Sequence, residues 1–203
     1  MIGIIDYKAG NLTSVERALR HLGIPCEVSS EAAVLRRADR IIFPGVGAAG
    51  EAMANLRATG MDRLLGECLA SGRPVLGICL GTQIIFERSE EDGAECLGLV
   101  PGLVRRFPAD MKADGRPLKI PHMGWNRVEW RMDHPVFRGI PPEAEFYFVH
   151  SYYPVPSDEA WIAGRTEYGI RFCSAVARNN LAAVQFHPEK SGVPGLSILE
   201  NFS

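Results

Sequence analysis

The chain has 203 residues, a formal net charge of −2, and 46% hydrophobic against 23% charged residues. A chain of this size buries roughly 70% of its unfolded surface, so one domain over 1–203 with a single large core is expected without disulfide staples. Basic residues cluster no further than the pairs Arg36-Arg37 and Arg105-Arg106, which gives no electrostatic case for nucleic acid, and no apolar run approaches the roughly 20 residues of a membrane span.

Five cysteines (26, 68, 79, 96 and 173) form an odd set without CxxC, which fits free thiols in a reducing, cytoplasmic setting. The opening MIGIIDYKAG lacks the basic region and long apolar segment of a secretion signal. Residues 2–5 form a short apolar strand. LTSVERALRHLG (12–23) follows, with Leu12, Val15, Leu19 and Leu22 at helical spacing, Asn11 placed to cap the start and Gly23 to close the end. Pro25 to Val28 is predicted as a strand, Leu35 to Ala38 as a helical or turn piece, and Arg40 to Phe43 as a strand ending in Pro-Gly. Residues 50–70 are predicted helical with a break near Gly60. Val75 to Ile78 is a fully apolar strand, and Thr82 to Arg88 is predicted as a helix.

From about 97 to 177 the character changes. GLVRRF, NRVEW, EFYFVHSY and WIAGRT are short segments bounded by Pro and Gly, predicted as antiparallel hairpins at one edge. Leu181 to Phe186 returns to a core strand and Gly195 to Phe202 closes as a helix. The fold class expected is α/β: a mostly parallel central sheet with helices on both faces and an antiparallel edge extension.

The chemistry centres on Gly77-Ile78-Cys79-Leu80-Gly81, a G-x-nucleophile-x-G pattern directly after a strand and before a helix. A sharp strand-to-helix turn exposes the nucleophile on strained backbone, and glycines on both sides relieve the crowding. A buried structural cysteine is the bland alternative, and it fits the other four cysteines. Cys79 needs a base. His21 lies on the first helix and His134 in a polar turn. His187 instead ends the core strand AAVQF, and Glu189, two residues on, can face the same way and orient the imidazole. Parallel strands deliver their C-terminal ends to one rim, where Cys79 and His187 can meet. The backbone N–H of Leu80 and the loop Pro44-Gly45-Val46-Gly47 are the candidate oxyanion donors.

These segments, with IGIIDYKAGNLTSV, SEEDG, KIPHMGWN (119–126), YFVHSYY (147–153) and QFHPEKSG (185–192), resemble the class I, triad-type glutamine amidotransferases. Within them the branch most similar is that of the glutaminase subunits of imidazole glycerol phosphate synthase. The resemblance implies that Cys79 is nucleophile, His187 base and acid, and Glu189 its orienter. Gly47 and Leu80 would supply oxyanion amides, with the Val46–Gly47 peptide free to reorient. Gln83, Glu91, Ser151 and Tyr152 would line a glutamine site, while Lys8, Asn11, His122, Met123 and Trp125 would lie toward a partner. That partner would be a (β/α)8-barrel cyclase subunit receiving ammonia in histidine biosynthesis. No metal or other cofactor is implied. Ala49 and Thr82 depart from the family pattern, which commonly has Phe and Met there, and changed packing is expected. An amidotransferase for a different acceptor, or a non-catalytic interaction subunit, are the alternatives.

Overall fold

The computed structural model describes residues 1–8, 12–113 and 115–203, so the Asn11 cap and its partner-side role lie outside the described residues. Strand β1 (Ile2–Ile5) leads into helix α1 (Leu12–His21), β2 (Cys26–Ser29), the one-turn α2 (Ala32–Leu35) and β3 (Arg40–Gly45). Helices α3 (Ala49–Thr59) and α4 (Met61–Ala70) are separated by Gly60 at φ 72, a left-handed conformation that favours glycine. Next come β4 (Val75–Cys79) and α5 (Leu80–Gln83).

The middle of the chain supplies β5 (Arg88–Ser89), β6 (Gly102–Arg106), the hairpin of β7 (Lys112–Ala113) and β8 (Arg116–Pro117), then β9 (His122–Arg127) and β10 (Glu129–Trp130). After these run β11 (Glu145–His150), β12 (Tyr152–Pro156), β13 (Ile162–Glu167), β14 (Arg171–Arg178), β15 (Leu181–Val184) and α6 (Gly192–Phe202).

Among the described residues the main sheet has eight strands in the order β10-β13-β14-β15-β4-β3-β1-β2. The run from β15 to β2 is parallel, and β14, β13 and β10 extend it antiparallel. Alternate residues of the strands serve opposite faces. Ile2, Ile4, Ile42, Leu76 and Ile78 belong to one apolar cluster with Val15 and Leu19 of α1 and Ile198 and Leu199 of α6. Ile41, Phe43 and Val75 belong to the other, with Met53 and Leu56 of α3 and Leu64 and Leu65 of α4. Helices thus cover both faces of an α/β sheet, as the strand–helix rhythm predicts.

Two expectations need correction. The predicted helix over Thr82 to Arg88 stops at Gln83, because the carbonyls of Ile84, Ile85 and Phe86 accept hydrogen bonds from Leu97, Gly98, Leu99 and Val100 instead of continuing a helix. The segments between 97 and 177 do not all extend one edge. β9 pairs with β11, and β12, β6 and β5 form a third small sheet, both apart from the main one. β14, which sequence reading leaves inside that region, is a long strand buried over Phe172–Ala177 beside β15.

Candidate active site

Cys79 ends β4 at φ 55 and ψ −109, a region that non-glycine residues rarely occupy. The neighbouring glycines explain how the chain tolerates it. A Cβ on Gly81 would sit 2.0 Å from the Phe43 carbonyl oxygen, and one on Gly77 would sit 2.9 Å from the Ala183 Cβ. Both positions are needed for close approach between β4, its elbow and the flanking strands. Gly81→Ala is therefore expected to destabilise the fold by about 3 kcal/mol, as overpacking against backbone does. Urea denaturation checks this, with an unchanged midpoint as the contrary result.

His187 follows β15 and Phe186, and its main chain is held on two sides. Its N–H donates to the Tyr147 carbonyl at 2.9 Å, and its own carbonyl accepts from the Ser191 hydroxyl at 2.6 Å. The extended i, i+2 geometry expected for His187 and Glu189 holds only at His187. Pro188 starts a 3-10 turn (Pro188–Lys190), and Glu189 reaches the ring from that turn, with Oε1 2.8 Å from Nδ1. Both side chains are buried. Burial alone would lower the His187 pKa. Hydrogen bonding and charge from Cys79, and then from Glu189, outweigh it and push the value up to about 9. Cys79, His187 and Glu189 are therefore assembled into one contact chain.

Cys79 and His187 open into a cavity of about 350 Å³, lined also by Val46, Gly47, Leu80, Gln83, Glu91, Ser151 and Tyr152. That volume suits a small polar molecule. All the residues expected at the oxyanion and glutamine positions thus converge here. Gly47 has φ 102, where a side chain is strained, and Leu80 begins α5. Glu91 accepts from the Ala49 N–H at 2.8 Å, tying the pocket wall to the start of α3 just beyond the 44–47 loop. Burial pushes the Glu91 carboxyl up, and the Ala49 N–H pulls against it.

Gln83 is buried, and its amide is committed inside the protein: Nε2 donates to the Tyr152 carbonyl at 3.1 Å and to Gln185 Oε1 at 3.0 Å. Gln185 in turn directs Nε2 at the Cys79 sulfur, 3.8 Å away. Sequence reading gave Gln185 and His150 no role, although a polar residue closing the apolar strand AAVQF, next to HPE, is a usable signal. Thr82 and Ala49, the two departures, are both fully buried, and the Thr82 hydroxyl is satisfied by the Val184 carbonyl at 2.5 Å.

The other four cysteines behave as structural thiols. Burial pushes Cys26 and Cys68 up, Cys96 to about 11 and Cys173 to about 12. The residues expected toward a partner divide. Lys8, Met123 and Trp125 are exposed, the last two at 62% and 55%. His122 is only 2% exposed and is corrected to an interior position. The alternation of β9 turns it inward, between Phe148 and Tyr168, whose ring centroids lie 4.8 and 4.0 Å from its own. Among the described residues no helix is long and apolar enough to cross a membrane.

Comparison with known proteins agrees with this geometry. The family described as Glutamine amidotransferase class-I matches residues 3–203. A protein named imidazole glycerol phosphate synthase subunit HisH from Nitratidesulfovibrio vulgaris (strain DP4) is 54% identical, over 100% of this chain and 95% of that protein. The like-named protein of Pseudomonas aeruginosa, subunit HisH 1, is 50% identical over 99% and 95%. Among solved structures, one described as a glutamine amidotransferase superposes with a TM-score of 0.74 at 20% identity, covering 99% of this chain and 98% of that one. The Trypanosoma brucei CTPS glutaminase domain with bound acivicin gives 0.65 at 18% identity, over 99% and 92%. These two show the shared fold. With a family match over nearly its whole length and relatives at half identity, the chain belongs to the class I glutamine amidotransferases, in the branch of imidazole glycerol phosphate synthase subunit HisH.

Proposed function

We propose that the chain is a single glutaminase domain that hydrolyses L-glutamine to glutamate and ammonia and hands the ammonia to a (β/α)8-barrel cyclase subunit. That partner would make imidazole glycerol phosphate and aminoimidazole carboxamide ribotide in histidine biosynthesis. The observation that carries the reading is Cys79 on a strained elbow in contact with His187, whose ring Glu189 holds at 2.8 Å, at a cavity of about 350 Å³.

The chemistry follows from these groups. His187 takes the Cys79 proton, and the sulfur attacks the carboxamide carbon of glutamine. The oxyanion accepts hydrogen bonds from the Leu80 and Gly47 N–H groups, each such donor being worth about 3 kcal/mol in hydrolases. The C–N bond breaks as His187 gives its proton to the leaving ammonia, and a thioester remains on Cys79. Water then attacks the thioester carbon, passing its proton to His187. The C–S bond breaks, glutamate leaves, and the thiol is restored. Glu91, Ser151, Tyr152 and Gln83 form the pocket that orients the substrate.

Ammonia released into water is protonated and lost as a nucleophile, so release is useful only beside an acceptor. Met123, Trp125 and Lys8 offer the exposed surface for the partner, and aromatic anchors are common at interfaces. The glycine at 47, with φ 102 beside the half-exposed Val46, gives the oxyanion loop a means of reorienting when the partner docks. Glutamate release by the purified chain is expected to be low and to rise at least about tenfold with partner and acceptor ligand, a coupling of the usual 1–3 kcal/mol size. Full activity alone, unchanged by the partner, is the outcome that sinks this reading.

A further inference from the structure

A second polar system runs back into the protein from the pocket wall, which His150 itself lines. His122 on β9 and His150 on β11 are direct cross-strand partners, buried to 2% and 5% exposure. His122 Nδ1 and His150 Nε2 are 2.9 Å apart, and His150 Nδ1 is 2.8 Å from the Tyr152 carbonyl oxygen.

A carbonyl only accepts, so the His150 proton sits on Nδ1 and Nε2 is left as acceptor. His122 must then donate from Nδ1, which leaves its own Nε2 to accept from Asn126 Nδ2 at 3.3 Å. The Asn126 amide has no freedom to turn round. Its Nδ2 also donates to the Glu167 carbonyl at 2.9 Å, and its Oδ1 accepts from the Arg127 N–H at 2.8 Å. Burial lowers His122 to about 4 and His150 to about 3, the latter helped by the neighbouring His122 and His187, so neither ring gains a second proton near neutrality.

The Tyr152 carbonyl is where this chain meets the catalytic one. It also accepts from Gln83 Nε2, which donates in addition to Gln185 Oε1, and that bond turns Gln185 Nε2 toward the Cys79 sulfur. Every amide and imidazole from Asn126 to Cys79 therefore has one allowed orientation, fixed by the acceptor-only Glu167 carbonyl at one end and the acceptor-only Tyr152 carbonyl in the middle.

We propose that His122 and His150 are positioning residues for the glutaminase reaction. As a relay of fixed direction they hold the Tyr152 carbonyl, and through Gln83 they keep Gln185 aimed at Cys79. Nothing in the proton transfers of catalysis passes through them. Because His122 and Asn126 occupy the inner face of the strand whose outer face bears Met123 and Trp125, the relay also registers where β9 sits. The inference rests on the reading of Cys79 as the nucleophile.

The test uses three variants of the full chain and the rate at which iodoacetamide alkylates Cys79, followed on its own peptide by mass spectrometry. His122→Phe keeps the ring stacked against Phe148 and Tyr168 but removes both nitrogens. His122→Asn restores a donor at the Nδ1 position. Asn126→Asp removes the donor to Nε2 and draws the His122 proton to that side, leaving two lone pairs facing each other between the imidazoles. Alkylation of Cys79 is expected to slow about fivefold or more in His122→Phe and Asn126→Asp, and to return to within about twofold of the parent in His122→Asn, as loss and rescue of one hydrogen bond predict. Unchanged alkylation in Asn126→Asp overturns the relay whether or not His122→Phe folds. Equal slowing in the Phe and Asn variants also overturns it, assigning the effect to packing. Glutamine hydrolysis that persists in Cys79→Ala refutes the nucleophile reading and leaves the alkylation comparison intact, so the two failures are distinguishable.

Discussion

Cys79→Ala is expected to lower glutamine hydrolysis by at least about 10⁴-fold, because removal of a nucleophile leaves only the binding and oxyanion contributions. No other thiol in the chain can replace it. Cys96 and Cys173 are pushed up to about 11 and 12 by burial, Cys26 and Cys68 are also raised, and none of the four lines the pocket. The variant should fold. Cys79 sits at φ 55 in the parent, and alanine meets the same backbone strain with one atom fewer to place. Two measurements together decide the assignment. Glutamate release from the variant should disappear, while a partner supplied with ammonium salt should still make its product, since that half of the reaction never uses the thioester. Residual glutaminase within tenfold of the parent would remove Cys79 from its role.

The parts of this site that were legible in the sequence are those set by local chemistry. An elbow needs glycine where backbone approaches backbone, and Gly81, whose Cβ would lie 2.0 Å from the Phe43 oxygen, carries that requirement into the sequence as a visible pattern. The proximity of His187 and Glu189 is similarly local, although a proline-started 3-10 turn, and not extended chain, brings them together. The parts that were not legible depend on distant partners. α5 ends at Gln83 because residues 97–100 capture the carbonyls of Ile84, Ile85 and Phe86 that follow it, and nothing within 82–88 encodes that. His122 turns inward because β9 pairs with β11 in one register, and the KIPHMGWN segment alone does not say which face is covered. Gln185 is of the same kind. Its role depends on Gln83, about a hundred residues away in the chain, donating from Nε2 to Gln185 Oε1.

These nonlocal bonds change how the pocket is understood. Gln83 reads in the sequence as a residue that touches the substrate, one helical turn past the nucleophile. In the structure both of its amide hydrogens are already used, on Tyr152 and Gln185. Gln83 therefore shapes the pocket through what it holds in place, and the residues left to meet a substrate include Gly47, Leu80 and the wall at 149–152.

Glu189→Gln should be nearly as damaging as loss of the nucleophile, at about 10³–10⁴-fold in kcat, the size seen when the acid of a triad becomes an amide and the imidazole takes the wrong tautomer. The carboxylate does two things here. Its Oε1 accepts from His187 Nδ1 at 2.8 Å, which leaves Nε2 to serve Cys79, and its charge supports the imidazolium. A glutamine amide can present its N–H₂ to Nδ1, moving the ring proton to Nε2, where it blocks proton transfer from the thiol. The same change has a signature in stability. The His187 pKa is raised in the folded chain from an ordinary 6.5 to about 9, with Cys79 and then Glu189 overcoming the opposing effect of burial. A raised value means that the folded chain binds the proton more tightly, so the contribution is complete below about pH 6.5 and is lost as pH rises through about 9. In Glu189→Gln the support from the carboxylate is gone, and the decline in melting temperature across that window should flatten. Thermal denaturation of parent and variant at intervals through the window measures it. Parallel curves with intact turnover would mean that Glu189 neither orients His187 nor stabilises its charge.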